Sequence, residues 1–276
     1  MRLIFKTDAG VITMSGKSDT DYVIKSVSGL SVPERNYECI SYYGADGKTT
    51  LNSFFSSRII TLSADIYNCN KTLMRRTSKI LFNEGTLTVT EGHIKKMISY
   101  KPLKLDFGER HGLIQSFAFQ IECDNPYFYD VFNTTRAIYT RKNNITSPFT
   151  LPTVFSTRVS ETVIVNNGDV KVYPTVVISP ASSSDASGTY TISNLTTGAS
   201  IMFSLTCQSG EKITADFAKR TITSSLKGSI ANSLKKGNMS DFFLSKGENI
   251  ITCTCSNTSV SPNSILIFKN HYTEAI

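Results

Sequence analysis

Tryptophan is absent from this 276-residue sequence, and histidine occurs only three times. Sugar-binding sites commonly stack a large, flat aromatic ring, often an indole, on the apolar face of the sugar, so the lack of tryptophan argues against a lectin. A histidine acting as a general base needs an oriented partner. His93 and His111 lie in turn-like contexts and His271 lies near the C-terminus, which indicates surface or loop positions. Histidine-based catalysis is therefore not expected.

The local motifs of most catalytic and cofactor sites are also missing. There is no G-x-S-x-G nucleophile elbow, no C-x2-C or H-E-x-x-H zinc spacing, and no complete G-x-G-x-x-G or G-x4-G-K-[S/T] phosphate loop. Paired carboxylates need no local motif, and Asp106, Glu109, Glu211 and Asp216 are available. We interpret these four as solvated charges near strand ends and turns. No catalytic, cofactor-binding or metal-binding residue is predicted, and the chain is expected not to be an enzyme.

Long apolar runs are missing as well. No stretch approaches the roughly 18 residues needed to span a membrane, and the opening MRLIFKTDAG does not resemble a signal peptide. The six cysteines show no disulfide or metal-binding spacing. We expect free thiols in the core, with Cys253 and Cys255 on one face of a strand.

Positive charge is in excess but is not concentrated. The formal net charge is +7, spread along the chain, whereas a nucleic-acid site normally gathers lysine and arginine on one face. The densest group is interpreted as the solvated face of a helix, and no sequence-specific nucleic-acid binding is expected. Its members are Lys71, Arg75, Arg76 and Lys79.

The patterns that are present predict a mainly β protein. Alternating apolar residues, as in Phe117, Phe119 and Ile121, have the two-residue period of half-buried strands. One helix is predicted, beginning at the cap residue Asn70, with Gly85 as its C-terminal left-handed residue. Asn166-Asn167-Gly168 predicts a hairpin between two short valine-rich strands. The predicted domains are residues 1–132 and 150–276, joined by a polar linker over 133–149.

In the order and spacing of its motifs, the whole chain resembles the distal tail proteins of long-tailed phages that infect Gram-positive bacteria. One departure is Ile213–Phe217, where the family often has Ile-Asp-Thr, although Asp216 keeps the acidic position. The motifs that carry the resemblance are GLSVPER (29–35), YGADG (43–47), RIITL (58–62), ECDNPYF (122–128), NGD (167–169), YPT (173–175), ISNLTTG (192–198), GE (210–211) and KGEN (246–249).

The resemblance implies an N-terminal β-sandwich with one helix, whose copies close into a ring, usually a hexamer, and a C-terminal galectin-like β-sandwich outside the ring. It also implies a structural virion protein at the distal end of the tail, made and assembled in the host cytoplasm. The partners implied are the tail tube protein, the tape measure protein, the tail-associated or tail-tip protein and the receptor-binding protein. No cofactor is implied.

A carbohydrate-binding adhesin of the tail tip is the alternative function. It requires exposed aromatic side chains in the second domain. We interpret Tyr173 and Tyr190 as strand residues and Tyr272 as too near the chain end. Phe242 and Phe243 are the strongest candidates for a sugar platform, but the apolar run Phe242-Phe243-Leu244 indicates a buried strand.

Overall fold

A computed structural model describes residues 1–17, 20–44, 46–143, 156–159, 161–180, 186–257 and 262–276. The chain divides into two compact units. The first unit comprises Met1–Val131 together with Tyr272–Ile276, and the second comprises Phe132–His271. The second unit is therefore inserted in the chain of the first, with a polypeptide connection at each end.

The first unit begins with ten strands and one helix in the order β1 to β6, α1, β7 to β10. Their bounds are β1 Arg2–Thr7, β2 Gly10–Ser15, β3 Tyr22–Ser28, β4 Arg35–Ile40, β5 Thr49–Phe55, β6 Arg58–Ile66, α1 Lys71–Leu81, β7 Gly85–Glu91, β8 Ile94–His111, β9 Ile114–Cys123 and β10 Phe128–Asp130.

The second unit has thirteen strands, and a last short strand follows where the chain returns to the first unit. Their bounds are β11 Thr134–Ala137, β12 Thr140–Asn143, β13 Ser156–Val159, β14 Glu161–Asn166, β15 Thr175–Pro180, β16 Ala186–Asn194, β17 Ala199–Cys207, β18 Ile213–Asp216, β19 Thr221–Ser224, β20 Gly228–Ser229, β21 Leu234–Lys236, β22 Gly247–Cys255, β23 Pro262–Phe268 and β24 His271–Tyr272, with a 3-10 turn at Ala231–Ser233.

One long strand folds the sheet of the first unit back on itself. The sheet runs β10-β8-β7-β1-β2-β3-β6-β9, with β24 beyond β10. The early part of β8 pairs with β7, and its later part, from Lys101 onward, pairs with β9. This closure gives a two-layered β structure whose alternate residues face one core. The core includes Leu3, Phe5, Ile60, Leu62, Ile80, Leu87, Ile98, Phe117, Phe119, Ile121 and Phe128.

The predicted helix is confirmed from Lys71 to Leu81. The Asn70 side chain accepts a hydrogen bond from the Leu73 amide at 2.7 Å, as an N-cap should. The predicted role of Gly85 is wrong: the helix ends at the cap residue Phe82, and Gly85 opens β7. A Cβ at Gly85 would lie 2.3 Å from the Lys6 carbonyl oxygen, so the glycine permits close approach of β1.

Two large antiparallel sheets and the separate strand pair β12–β13 form the second unit. A six-stranded sheet runs β11-β23-β15-β18-β19-β20, and a five-stranded sheet runs β14-β22-β16-β17-β21. Their inward residues make one core, as in a β-sandwich. The mainly β class with a single helix among the described residues is thus confirmed. The core includes Ile164, Val176, Ile178, Tyr190, Ile192, Ile201, Phe203, Phe217, Phe242, Ile251 and Leu266.

The hairpin predicted at Asn166-Asn167-Gly168 does not form. Strand β14 pairs with β22 instead, and Val172 makes only an isolated bridge to Leu244. The Asn166 side chain bonds the Val170 and Leu244 carbonyls and accepts from the Gly168 amide. A Cβ at Gly168 would lie 2.4 Å from the His271 carbonyl oxygen, so this glycine too marks a close backbone approach.

Candidate functional site

Several of the residues weighed for catalysis lie in exposed positions. His93 lies in a turn, and His111 Nε2 lies 3.9 Å from Glu109 Oε2 with both side chains largely exposed. Asp106 forms an exposed ion pair with Lys104. Across the described ranges, no group of three or more histidine, cysteine, aspartate or glutamate side chains is placed to hold a metal ion. These side chains are consistent with solvated charges.

Glu211 differs from its expected position as a solvated turn residue, because its side chain is completely buried. It accepts hydrogen bonds from the Gln208 amide at 2.8 Å, from Lys227 Nζ at 3.2 Å and from the Ser224 hydroxyl. Burial alone would raise the pKa of Glu211, but these donors outweigh it and lower the pKa below its usual value. The network stabilises the β18–β19 region of the second unit and leaves the carboxylate without access to a substrate.

Five of the cysteines lie in or against the two cores, as predicted, whereas Cys39 lies on the exposed strand β4 and the prediction of a core position is wrong for it. All six are free thiols, and four are buried. Cys253 and Cys255 lie on one face of β22, and Cys253 Sγ is 3.0 Å from the Ser264 hydroxyl that donates to it. Burial raises the pKa of Cys253 to about 11 and that of Cys123 to about 12. Neutral, buried thiols of this kind pack as small apolar side chains.

The aromatic residues proposed for sugar stacking are unsuited to it. Phe242 is fully buried and stacks on Phe217 with ring centroids 4.2 Å apart. Tyr190 is fully buried. Phe243 is half-buried, and Lys171 Nζ lies 5.0 Å from its ring centroid and 5.7 Å from that of Tyr173. The cation therefore lies over one face of each of these rings and competes with a sugar for it.

We therefore predict no sugar binding of useful affinity by the second unit. Titration of the full chain with galactosides and with host wall polysaccharide should show no saturable response tighter than roughly 1 mM, about −4 kcal/mol. Isothermal calorimetry checks this. A micromolar, saturable response that Phe243→Ala abolishes, while Val163→Ala leaves it intact, would contradict the prediction.

An exposed apolar hairpin is the clearest candidate for an interaction surface in the first unit. Strands β4 and β5 pair only with each other, as a separate two-stranded sheet. Nearly all of their residues are exposed, and Phe55, which contacts Tyr127 and lies under Arg35, packs at the base. We call this segment the apolar hairpin. Its exposed large side chains are Tyr37 (58%), Ile40 (40%), Tyr42 (60%), Tyr43 (109%), Leu51 (61%) and Phe54 (46%).

Such a hairpin has little intrinsic stability. Two-stranded sheets are marginal in water, and clustered exposed apolar side chains usually mark a surface that a partner covers. Its geometry offers main-chain pairing along both edges and apolar side chains for packing. The sequence does not show that β4 and β5 leave the core, because the composition of these strands is that of an ordinary half-buried hairpin.

A buried arginine holds together several motifs of the first unit. Arg58 is 3% exposed, and its guanidinium donates to the carbonyls of Gly29, Ser31, Pro126 and Thr273. The guanidinium carbon lies 4.8 Å from the ring centroid of Phe128. We call this arrangement the Arg58 junction. It joins the segments 29–35, 58–62 and 122–128 with the chain's last residues.

A comparison with known protein families gives a match in the C-terminal part of the chain. Residues 167–272 match the model of the siphovirus-type tail component, C-terminal domain. The chain carries a phage tail-component domain. The resemblance to distal tail proteins is thereby confirmed for this range, and the domain belongs to a structural component of the virion tail rather than to an enzyme. No curated protein matches the chain.

Solved structures extend the likeness in fold to nearly the whole chain. The SPP1 Dit protein, described as a paradigm of the hub adsorption apparatus in phages infecting Gram-positive bacteria, has a TM-score of 0.70 and 14% identity, covering 98% of this chain and 99% of that one. The phage P2 baseplate in its activated conformation with Ca has a TM-score of 0.54 and 11% identity, covering 98% and 97%. The same baseplate with Sr gives 0.51 and 12%, covering 98% of both chains.

No part of this chain, as far as the structure describes it, contains a helix with the length and apolar character of a membrane span.

Proposed function

We propose that this tail component forms a closed ring, most simply a hexamer, at the distal end of a phage tail. The first unit supplies the ring contacts. The second unit, outside the ring, contributes surface for other tail proteins. The ring joins the tail tube and tape measure proteins to the tail-tip and receptor-binding proteins, and it is made and assembled in the host cytoplasm. The domain match and the likeness in fold to hub and baseplate proteins support this assignment.

The apolar hairpin carries the proposal. A hairpin with six large apolar side chains exposed to water is unfavourable in a monomer. In an oligomer, a neighbouring subunit can cover those side chains. Contacts between two different patches of identical subunits are heterologous, and they generate rings when the rotation closes. The hairpin of each copy then packs against the next copy, and every hairpin in the ring is covered.

Replacing three hairpin side chains should abolish the ring. The variant Tyr37→Ser/Leu51→Ser/Phe54→Ser removes apolar area from the contact, and association should weaken about a hundredfold or more. Native mass spectrometry measures the proportion of rings and monomers. Because all three side chains are exposed in the subunit, the variant should keep the fold of the subunit, which far-UV circular dichroism checks.

The matched control replaces exposed valines on β14 of the second unit, Val163 (54% exposed) and Val165 (44%), with serine. This control should retain the wild-type ring. A hairpin variant that assembles as well as the control would remove the hairpin from the ring contact. A wild-type chain that stays monomeric at high concentration would contradict the ring itself.

A further inference from the structure

One face of helix α1 carries four unpaired positive charges. Lys71, Arg75, Arg76 and Lys79 are all exposed, and none forms an ion pair with another described residue. The helix has no acidic residue at all. We call these four side chains the basic helix face.

Most of these positive charges lie at positions where they destabilise the helix. Lys71 lies in the first turn, where the helix dipole disfavours a cation, and only Lys79 lies in the favourable last turn. The pairs Lys71–Arg75 and Arg75–Lys79 are like charges four residues apart, each destabilising by roughly 0.2–0.5 kcal/mol. A merely solvated face would gain from mixed charges, so this arrangement indicates an anionic partner.

Exposed aromatic side chains flank the helix at both ends. Tyr67 precedes it and is 37% exposed, and Phe82 caps its C-terminus and is 58% exposed. Arginine with tyrosine or phenylalanine is the composition enriched at protein–protein interfaces. The basic helix face therefore has the character of a protein-docking surface.

The same unit carries a cavity of opposite charge. A cavity of about 370 Å³ is lined by Glu84, Glu122 and Asp124, with Lys101 as its single cation. Lys101 Nζ lies 2.6 Å from Asp124 Oδ2, and that hydrogen bond, with the nearby Glu84 and Glu122, raises the pKa of Lys101. Three carboxylates against one ammonium leave a negative surface, which we call the acidic cavity.

Arginine pairs with carboxylates in a forked geometry, so the carboxylates of the acidic cavity suit Arg75 and Arg76. Tyr100 also lines the cavity, but its ring packs against Phe5 and Phe119 in the core and its hydroxyl is buried, so it is not a contact for a docking partner.

We propose that the basic helix face of one copy docks against the acidic cavity of the next copy. This inference rests on the proposed ring and assigns it a second, electrostatic contact beside the apolar hairpin. No ion pair joins the two surfaces within one chain over the described residues. Each copy thus presents both halves of a heterologous contact.

Charge reversal and its compensation test the contact. Arg75→Glu/Arg76→Glu, and separately Glu84→Lys/Asp124→Lys, should each weaken ring assembly about tenfold or more, because like charges then face each other. The variant with all four changes should recover most of the loss. Sedimentation velocity over a concentration series gives the affinities, and circular dichroism checks that the helix is retained.

The matched control is Lys235→Glu/Lys236→Glu, which makes the same charge change on an exposed strand of the second unit and should leave assembly unchanged. Raising the salt concentration should weaken the wild-type ring and affect the four-change variant similarly. Rings that survive both reversals, or reversals that fail to compensate each other, would overturn this contact while leaving the ring in place. A wild-type chain without rings would overturn both proposals.

Discussion

Arg58→Ala should destabilise the first unit by about 3–5 kcal/mol, since it leaves several buried carbonyls without a donor. Four carbonyls depend on this guanidinium, and two of them, in Gly29 and Ser31, share Nη1. Hydrogen exchange measured by mass spectrometry resolves the effect by segment. Peptides from β6 should lose protection, and peptides from β22 in the second unit serve as the internal reference.

Two further variants separate charge from geometry at the Arg58 junction. Arg58→Lys keeps a cation but loses the planar fork, so it should recover only part of the stability. Deleting residues 272–276 removes the Thr273 carbonyl and the buried Ala275, whose amide donates to Leu30 O at 3.0 Å. That deletion should also expose β6 to exchange. Wild-type protection of β6 in Arg58→Ala would refute the structural role of the junction.

Glu211→Ala should have the largest effect on the second unit, about 3 kcal/mol, because three donors lose a buried anionic acceptor. The folded-state pKa of this carboxyl lies below its ordinary value of 4.5. Its stabilisation is therefore fully present above about pH 4.5 and is lost as the pH falls through the lower folded-state pKa. Acid should weaken the second unit over that window.

Scanning calorimetry between pH 7 and pH 3 checks this linkage. Glu211→Gln removes the titrating group and should flatten the pH dependence of melting, at a lower stability near neutral pH. The control, Glu248→Gln, changes an exposed carboxyl on β22 and should retain the wild-type pH profile. An unchanged profile in Glu211→Gln would show that Glu211 does not contribute to acid sensitivity.

Sequence patterns correctly predicted those helices and strands that depend only on residues close together in the chain. Helix α1 follows from its cap and its 3.6-residue period, and β9 follows from its alternation. Glycine was less informative, because a sequence does not distinguish a glycine that turns the chain from one that admits a neighbouring backbone. Gly85 and Gly168 are of the second kind, with Lys6 and His271 as the neighbours.

Features that depend on distant residues were not visible in the sequence. The Asn166 side chain bonds the carbonyl of Leu244, which is 78 residues away, and β14 pairs with the distant strand β22. In this pairing Ile164 faces inward, and Val163 and Val165 are exposed. A one-residue change of register exchanges the two faces of a strand. Arg58 similarly contacts Thr273 across 215 residues, and the return of the last residues to the first unit has no local signal.

The bounds of the first unit determine which fragment of the chain is expected to fold and assemble on its own. A fragment that stops near residue 131 lacks Tyr272–Ile276, which belong to the same compact unit. We expect a fragment in which a short glycine linker joins Val131 to Tyr272 to fold and assemble better than residues 1–131 alone. Fragment experiments on the ring contacts should therefore use the linked form.

Negative-stain electron microscopy of the purified full-length chain tests the central claim most directly. The proposed function predicts closed rings with a central hole, most simply of six subunits, in the majority of particles. The Tyr37→Ser/Leu51→Ser/Phe54→Ser variant should show scattered single subunits in the same buffer. Single two-unit particles from the wild-type chain, at concentrations where a stable ring would be populated, would contradict the account.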